Sequence, residues 1–316
     1  MRIVILDDYQ GVARDMADWR ALEARADIEV ERRYIGDRAA MADRLAGVEI
    51  VVAMRERTVF DRDMLGCLPD LKLLVTTGMV NASIDLDAAR EQGVTVCGTS
   101  SGGPDAAELA FALMIALARR IPQEDRALRK NGAWQTGLGM TLNGKTLGLL
   151  GFGKLGKRMA GFGAAFGMRV QALSRSLTDA DAADHGVKRA ETLGTLLETS
   201  DVLSIHVPLS RATGGLIGAD GLEQMKPGAI LVNTSRGPIV EENALIAALR
   251  SGRIQAGLDV FATEPLPADH PFLHLPNVLV TPHIGYVTED SYRVYFGGAV
   301  EAIAAWLDGD PVRVLT

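Results

Sequence analysis

Residues 145–156 read KTLGLLGFGKLG, and the interpretation of the fold starts from this stretch. Thr146–Leu150 is an apolar run of strand length, and Gly151, Gly153 and Gly156 follow at G-x-G-x-x-G spacing. In a βα turn the first glycine permits the tight turn, the second lets a pyrophosphate approach the backbone, and the third lets helix and strand pack closely. The pattern predicts a dinucleotide-binding turn, and a βα turn without a ligand is the alternative.

The segments after the glycines support the first interpretation. A helix is predicted from Lys154 to about Phe166, and its first N–H groups would point at the phosphates of a dinucleotide. A second strand is predicted over Met168–Leu173. The order of strand, glycine turn, helix and strand is the βαβ unit in which such a turn binds a cofactor.

The residues after this second strand indicate which dinucleotide is bound. In NAD-binding units an acidic residue about 20 residues beyond the glycines binds the ribose 2′-OH. No Asp or Glu lies between residues 156 and 178, and Ser174, Arg175 and Ser176 stand at the expected place. Hydroxyls and a guanidinium suit a 2′-phosphate, so NADP(H) is favoured. The alternative is an ordinary polar loop in an enzyme that uses NAD(H).

Composition excludes several other classes of protein. The 316 residues are long enough for two domains, and 47% apolar with 23% charged residues is ordinary for a globular chain. A net charge of −7 argues against a nucleic-acid surface. Cys67 and Cys97 are the only cysteines, and no Cys–His cluster has metal-ligand spacing, so no metal is expected. No signal peptide or membrane span is apparent, so a cytoplasmic protein with no membrane partner is expected.

Strand and helix patterns alternate along most of the chain, which predicts an α/β protein with parallel sheets. A helix is predicted around Val12–Ala24 between the first two strands, and a long final helix over Thr288–Leu307. The Gly/Ser/Pro stretch at 98–104 precedes another long helix and is interpreted as a crossing between domains. One complete domain therefore precedes the cofactor domain.

Titratable residues follow three successive predicted strands in the second half of the chain. Arg236 follows AILVNTS, Glu264 follows QAGLDVFAT, and His283 follows VLVTP. Because ligands bind at the carboxyl ends of parallel strands, all three are expected at the edge where the dinucleotide lies. A histidine beside a carboxylate suits a proton-transfer step, and an arginine can hold a substrate carboxylate with two parallel bonds. Taken singly, each could instead be a solvated loop residue.

Several motifs resemble one known family. The glycine turn, HVPLSRATGGLI (206–217), MKPGAILVNTSRGPIVEENAL (225–245), LDVFATEPL (258–266) and TPHIG (281–285) together resemble the D-isomer-specific 2-hydroxyacid dehydrogenases. The resemblance covers nearly the whole chain and is strongest over 145–285. It implies two doubly wound parallel-sheet domains, with a Rossmann-type cofactor domain (99–285) inserted into a flavodoxin-like substrate domain (1–98 and 286–316). It also implies a cleft between the domains and a homodimer formed mainly through the cofactor domains.

The resemblance assigns roles to residues of this chain. Arg236 would bind the substrate carboxylate and carbonyl, His283 would be the acid/base, and Glu264 would be its partner. The residues that would contact the cofactor besides the glycines and the 174–176 segment are Lys154, Leu155, Val207, Pro208, Thr213, Thr234, Ser235, Asp259 and Gly285. Asp259 is expected at the nicotinamide end, and Lys154 with Leu155 at the pyrophosphate.

The predicted substrate loop departs from the family. Where relatives often have Gly-x-Gly-x-Asp-Asn-Ile-Asp, residues 78–85 read GMVNASID, so substrate choice does not carry over. Gly78 and Met79 of this loop are predicted to contact the substrate. The segment MRERT (54–58) resembles one that lends an arginine to the substrate phosphate in phosphoglycerate dehydrogenases. Arg55 is predicted to bind the substrate, although Arg55 and Arg57 could equally form a structural pair facing Glu56 and solvent.

The sequence therefore predicts an NAD(P)-dependent D-2-hydroxyacid dehydrogenase that acts as a 2-keto-acid reductase on a small, glyoxylate- or hydroxypyruvate-like acid. The SRS segment at 174–176 resembles glyoxylate/hydroxypyruvate reductases. Three alternatives stay open: 3-phosphoglycerate dehydrogenase, a dinucleotide-sensing corepressor-like binding protein on the same fold, and formate or phosphite oxidation.

Overall fold

The computed structural model describes residues 1–316, which form two compact units. One unit is Met1–Gly103 together with Val287–Thr316, and the other is Pro104–Tyr286. Each unit contains one parallel sheet with helices on its faces. The predicted fold class, α/β with two parallel-sheet domains, is confirmed.

The first unit is built on a five-stranded parallel sheet. Its strands are β1 (Arg2–Ile5), β2 (Asp27–Val30), β3 (Ile50–Ala53), β4 (Leu73–Thr76) and β5 (Thr95–Gly98). They lie in the order β2-β1-β3-β4-β5, which is the flavodoxin-like arrangement. The central strands β3 and β4 are buried along their whole length, as expected for a parallel sheet covered on both faces.

Short helices connect these strands. They are α1 (Arg20–Glu23), α2 (Arg38–Arg44), α3 (Arg62–Gly66) and α4 (Leu86–Glu91). Asp37, Asp61 and Asp85 each accept a hydrogen bond from the backbone N–H three residues later, so aspartate caps decide where α2, α3 and α4 begin. The C-terminal helix, Glu289–Leu307, belongs to the same unit and buries Tyr292, Tyr295 and Phe296 there.

The helix predicted around Val12–Ala24 is wrong. Only Arg20–Glu23 is helical, and the residues before it form turns. The buried Asp8 carboxylate accepts hydrogen bonds from the N–H groups of Val12 and Ala13 at 3.0 and 2.9 Å. The Trp19 indole N–H then donates to the Ala13 carbonyl at 2.8 Å. These side chains satisfy the backbone groups that a helix would have paired, so the apolar spacing alone was misleading.

The second unit is built on a seven-stranded parallel sheet. Its strands are β6 (Thr146–Leu150), β7 (Arg169–Leu173), β8 (Lys188–Arg189), β9 (Val202–Ile205), β10 (Ile230–Asn233), β11 (Gln255–Leu258) and β12 (Val278–Val280). They lie in the order β12-β11-β10-β9-β6-β7-β8, which is the Rossmann arrangement with one added edge strand. Leu231 points into one apolar core while Ile230 and Val232 point into another, so both faces of the sheet are covered.

The helices of this unit are α5 (Asp105–Ala118), α6 (Ile121–Asn131), α7 (Lys154–Ala165), α8 (Asp179–Asp184), α9 (Leu193–Thr199), α10 (Ala219–Gln224) and α11 (Glu242–Arg250), with short 3₁₀ helices at Gly237–Ile239 and Pro271–Leu273. The sequence patterns did not predict α6, α8 or α9. None of the helices combines the length and the hydropathy that a membrane span requires.

Candidate active site

The glycine turn after β6 has the shape that dinucleotide binding requires. Gly151 has φ +101°, and a Cβ on it would lie 2.6 Å from the His206 carbonyl oxygen. A Cβ on Gly156 would lie 2.3 Å from the Gly151 carbonyl oxygen. A side chain at either position would therefore clash with the backbone. A Cβ on Gly153 would meet nothing within 4 Å. Gly153 therefore borders open space, where a pyrophosphate can approach the backbone.

The N-terminus of α7 is open to an anion. Gly153 occupies the cap position, and no side chain accepts a hydrogen bond from the first turn. Lys154 is exposed and Leu155 is partly exposed at this end. The uncapped N–H groups and the helix dipole favour a phosphate here, and the Lys154 side chain adds positive charge. The residues present therefore fit a nicotinamide dinucleotide.

Ser174, Arg175 and Ser176 lie directly after β7, at the carboxyl edge of the sheet. The turn is closed by a hydrogen bond from the Leu177 N–H to the Ser174 carbonyl at 3.2 Å. Arg175 and Ser176 are exposed, and Ser174 is partly buried. No hydrogen bond or ion pair to another residue engages the Arg175 guanidinium, so this cation is available to a ligand.

The loop after β9 is held by its own side chains. The Thr213 hydroxyl donates to the Pro208 carbonyl at 2.7 Å and accepts from the Ser210 N–H at 2.8 Å. The Val207 carbonyl accepts from the Ser235 hydroxyl at 2.5 Å, which ties this loop to the one after β10. The hydroxyl of Thr213 thus shapes the loop, and a cofactor would meet mainly its backbone.

His206 precedes this loop and was not singled out by the sequence patterns. Its Nε2 lies 2.8 Å from the Ser204 hydroxyl oxygen, and its carbonyl faces Gly151. Burial lowers the pKa of His206 to about 4. The ring is therefore neutral near pH 7, and the backbone carbonyl of His206 is the part that faces the glycine turn.

Arg236 is presented by a tight turn after β10. The Asn233 side-chain amide donates to the Arg236 carbonyl at 2.9 Å, and its oxygen accepts from the Ser235 N–H at 3.0 Å. The Arg236 Nη1 donates to the Ser235 carbonyl at 2.5 Å. Thr234 lies in the same turn, and its hydroxyl is 3.4 Å from the Ala106 carbonyl. A buried side chain that the sequence reasoning missed, Asn233, thus shapes the turn that carries Arg236.

Glu264 and His283 form a close pair. His283 Nδ1 lies 2.5 Å from Glu264 Oε2, and Glu264 Oε1 accepts from the Phe261 N–H at 2.8 Å. Both side chains are partly exposed, at 27% for Glu264 and 19% for His283. Because the carboxylate engages Nδ1, the Nε2 atom of the ring is the one left to exchange a proton with a substrate.

Asp259 holds the loop that carries His283. Its Oδ1 accepts from the Thr281 hydroxyl at 2.6 Å and from the Ile284 N–H at 2.8 Å, while its Oδ2 accepts from the Gly285 N–H at 2.8 Å. Burial is the main reason that the pKa of Asp259 is raised above its usual value. His283 itself has φ +52°, an uncommon backbone conformation for a side chain of this size, and the Asp259 bonds maintain it.

The predicted substrate residues lie in the first unit, after β3 and β4. Gly78 has φ +82°, and its N–H donates to the Thr99 hydroxyl at 2.8 Å. A Cβ on Gly78 would lie 3.1 Å from Nη1 of Arg55, so the glycine leaves room for this guanidinium. Met79 follows with 42% of its surface exposed. Arg55 is partly exposed, with Glu56 Oε1 at 3.8 Å as its ion-pair partner.

Arg57 has a different environment from Arg55. Its Nη1 donates to the Asp7 carbonyl at 2.5 Å, and its guanidinium carbon lies 4.4 Å from the centroid of the Tyr9 ring. Its Nη2 lies 3.4 Å from the Tyr292 hydroxyl. Arg57 is partly exposed like Arg55, but its contacts with Asp7, Tyr9 and Tyr292 tie the 54–58 segment to neighbouring parts of the first unit.

Every predicted cofactor and catalytic residue follows a strand of the seven-stranded sheet at its carboxyl end. Arg236, Glu264 and His283 follow the neighbouring strands β10, β11 and β12. A glycine-rich βα turn at β6 and a His–Glu pair on the same edge define a dehydrogenase with a nicotinamide dinucleotide cofactor.

Comparison with known sequences agrees with this class. Residues 111–285 match the family described as D-isomer specific 2-hydroxyacid dehydrogenase, NAD binding domain. The chain belongs to this family. It is therefore an oxidoreductase of the type that acts on CH–OH groups with NAD or NADP.

Similar proteins cover most of the chain. It is 38% identical over 265 residues to the glyoxylate reductase of Thermococcus litoralis, covering 80% of this chain and 79% of that protein. It is 37% identical over 290 residues to the D-3-phosphoglycerate dehydrogenase of Archaeoglobus fulgidus. That match covers 90% of this chain and 54% of the relative, so the chain spans about half the length of that protein. The crystal structure of a phosphoglycerate oxidoreductase from Vibrio cholerae O395 superposes with a TM-score of 0.92 at 38% identity, covering 98% of this chain and 99% of that one.

Proposed function

We propose that the protein is an NAD(P)-dependent D-2-hydroxyacid dehydrogenase that works as a reductase of a small 2-keto acid of the glyoxylate or hydroxypyruvate type. The contact of 2.5 Å between His283 and Glu264, at the edge of a dinucleotide-binding sheet, is the observation that carries this proposal. The T. litoralis relative, named a glyoxylate reductase, supports the substrate class.

His283 is the acid/base of the proposed reaction. A bound nicotinamide dinucleotide supplies the hydride that reduces the carbonyl carbon. His283 Nε2 gives its proton to the carbonyl oxygen, and Glu264 holds the ring in place through Nδ1. In the reverse direction the same nitrogen removes the hydroxyl proton.

Arg236 is the proposed carboxylate clamp. A guanidinium presents its donors in a planar fork, which matches the two oxygens of a carboxylate and fixes the direction of the adjacent carbonyl. The turn after β10 supports this role, because the Asn233 amide holds the Arg236 carbonyl and the Ser235 carbonyl accepts from Arg236 Nη1. Arg55, Gly78 and Met79 are proposed to contact the rest of the substrate.

NADP(H) is the proposed cofactor, with NAD(H) as the alternative. Arg175 would meet the 2′-phosphate, while Ser174 and Ser176 would offer hydroxyls to it. The glycines of the turn with Lys154 and Leu155 would bind the pyrophosphate. The remaining proposed cofactor contacts are Val207, Pro208, Thr213, Thr234, Ser235, Asp259 and Gly285.

A second candidate function is 3-phosphoglycerate dehydrogenase. The name of the A. fulgidus relative and the partly exposed Arg55, which can bind a second anion, favour it. A corepressor-like binding protein would bind the dinucleotide without turnover.

A substrate panel tests the proposal. Purified protein is assayed for dinucleotide oxidation with glyoxylate, hydroxypyruvate and 3-phosphohydroxypyruvate, each with NADPH and NADH. We expect turnover of the small keto acids, with values of kcat/KM in the range common to enzymes, about 10⁴–10⁸ M⁻¹s⁻¹. A clear preference for the phosphorylated acid would favour the second candidate. Binding of NADPH without turnover of any keto acid would contradict the reductase assignment.

The second unit also carries a surface that suits a homodimer. Helix α6 buries none of its residues, and Trp134 and Leu138 beyond it are 76% and 98% exposed. Glu124 nevertheless holds this segment in shape, accepting from the Thr136 N–H at 2.9 Å and from its hydroxyl at 2.7 Å. Ordered backbone with apolar side chains in solvent is typical of an interface, and we propose a second copy of the chain as its partner.

Replacing Leu138 with glutamate should dissociate such a dimer, because it puts a charge into an apolar contact. Sedimentation velocity over a range of concentrations measures the shift from dimer to monomer. Tyr34→Glu, at an exposed apolar residue of the other unit, is the control and should leave the oligomeric state unchanged. A monomeric wild-type protein, or a Leu138→Glu variant that stays dimeric, would contradict this assignment.

A further inference from the structure

Asn233 is a buried polar residue in the sheet of the second unit. It ends β10 with 2% of its surface exposed. In the sheet register its neighbours are Ile205 at the end of β9 and Leu258 at the end of β11. Both neighbours are apolar and buried, so filling the sheet at this level does not require an amide. A buried amide is retained only where its hydrogen bonds are made, and it then specifies a local structure.

The Asn233 amide spans the turn from residue 234 to residue 236. Its oxygen accepts from the Ser235 N–H at 3.0 Å, and its nitrogen donates to the Arg236 carbonyl at 2.9 Å. The two bonds fix the Thr234–Ser235 peptide and the Arg236–Gly237 peptide. The Arg236 backbone is extended, with φ −148° and ψ 135°, so these bonds set the direction in which its side chain leaves the turn.

The residue after Arg236 connects this turn to the loop that carries the acid/base pair. A Cβ on Gly237 would lie 2.2 Å from the Phe261 carbonyl carbon, so the two backbones are in direct contact. The Phe261 N–H binds Glu264, and Glu264 binds His283. The position of the turn therefore also determines its spacing from the residues that transfer the proton.

We propose that Asn233 is a positioning residue for catalysis, which sets the Arg236 guanidinium at the distance and angle that the substrate carboxylate needs. The inference rests on the proposed function, because it takes Arg236 as the clamp. Asn233 would not touch the substrate. Its hydrogen bond to the Arg236 carbonyl would orient the guanidinium for the substrate. Its hydrogen bond to the Ser235 N–H would shape the part of the turn that lines the cofactor.

Asn233→Asp separates the two bonds. The aspartate keeps the size of the side chain and an oxygen that can accept from Ser235, but in its ionised form it cannot donate to the Arg236 carbonyl. Displacement of a positioning group by about 1 Å can cost about 100-fold in rate, so we expect kcat/KM for the keto acid to fall about 10- to 100-fold. Dinucleotide affinity, measured by fluorescence titration, should be unchanged. Asn233→Ala removes both bonds and should weaken dinucleotide binding as well.

Asn277→Asp is the matched control. Asn277 lies just before β12, at the amino end of the sheet, and its side chain also donates to two backbone carbonyls, those of Leu249 at 2.9 Å and Ile254 at 2.7 Å. The control should lower the melting temperature without changing kcat/KM per folded molecule. The concentration of folded active sites is determined from dinucleotide binding, and kcat/KM is expressed per active site. Partial unfolding of a variant therefore does not affect the comparison.

Arg236→Lys, measured in parallel, separates this inference from the proposed function. An impaired Arg236→Lys enzyme together with a fully active Asn233→Asp enzyme would overturn the role of Asn233 alone. A fully active Arg236→Lys enzyme would overturn the clamp itself. Equal losses in Asn233→Asp and Asn277→Asp would show that Asn233 contributes only to stability. Loss of kcat/KM in Asn233→Asp with intact dinucleotide binding supports the inference.

Discussion

Replacing His283 with asparagine is expected to lower kcat by about 10²–10⁴, the usual contribution of a positioned acid or base. Asparagine can still accept or donate a hydrogen bond near Glu264, but it cannot transfer a proton to the carbonyl oxygen. Initial rates of keto-acid reduction at saturating dinucleotide measure the effect. Dinucleotide affinity should be unchanged, because the glycine turn and the loops after β7 and β9 are untouched.

His274→Asn is the matched control for this experiment. His274 is an exposed histidine in the same unit, at the end of the short 3₁₀ helix before β12. The same substitution there should leave kcat unchanged. A His283→Asn enzyme with near-normal kcat at neutral pH would remove His283 from the mechanism, and the contact with Glu264 would then be a structural pair.

The position of the site at the carboxyl edge of the sheet could be predicted, because it depends on which residues follow the strands and not on individual side-chain contacts. Buried parallel strands are continuous apolar runs, so β6, β9 and β10 stand out in the sequence. Whatever follows such a strand lies at one edge of the sheet. Arg236, Glu264 and His283 could therefore be grouped before any distance between them was known.

The contacts that hold these residues could not be predicted, because they depend on backbone geometry across several loops. Nothing in the sequence alone indicates that Phe261 binds Glu264 or that Asp259 uses both oxygens on the His283 loop. One signal was available for Asn233, since asparagine side chains often bond to the backbone two residues on. The bond from the Ser235 N–H to the Asn233 oxygen is of this kind.

Two other features of the structure could not be predicted either, because they also depend on contacts between side chains and distant parts of the chain. The turns before α1 form because the Asp8 carboxylate and the Trp19 indole bind backbone groups, which apolar periodicity cannot indicate. Arg55 and Arg57 stand two residues apart in one segment, yet only Arg57 is packed against the Tyr9 ring. The sequence does not distinguish the two arginines, whereas their contacts in the structure do.

A preference for NADPH over NADH of about 10- to 150-fold is expected in the wild-type enzyme if Arg175 binds the 2′-phosphate. A hydrogen bond to a charged group contributes about 1.5–3 kcal/mol, and each 1.4 kcal/mol is a factor of ten. Arg175→Ala should remove most of this preference, mainly through KM for NADPH. Arg169→Ala is the control. Arg169 is exposed and begins β7, the strand that Arg175 follows, and this substitution should leave the ratio unchanged.

Ser174→Asp should reverse the preference rather than only reduce it. The new carboxylate would repel a 2′-phosphate and would accept a hydrogen bond from the 2′-OH of NADH, and a reversal of specificity usually needs both elements. The ratio of kcat/KM for the two dinucleotides, measured with one keto acid, is the test. The competing arrangement leaves the exposed Arg175 guanidinium in solvent, and the enzyme then accepts either cofactor. A wild-type ratio near or below one would establish that arrangement. The assignment of His283 and Glu264 as the acid/base pair would still stand, because it concerns the other end of the bound dinucleotide.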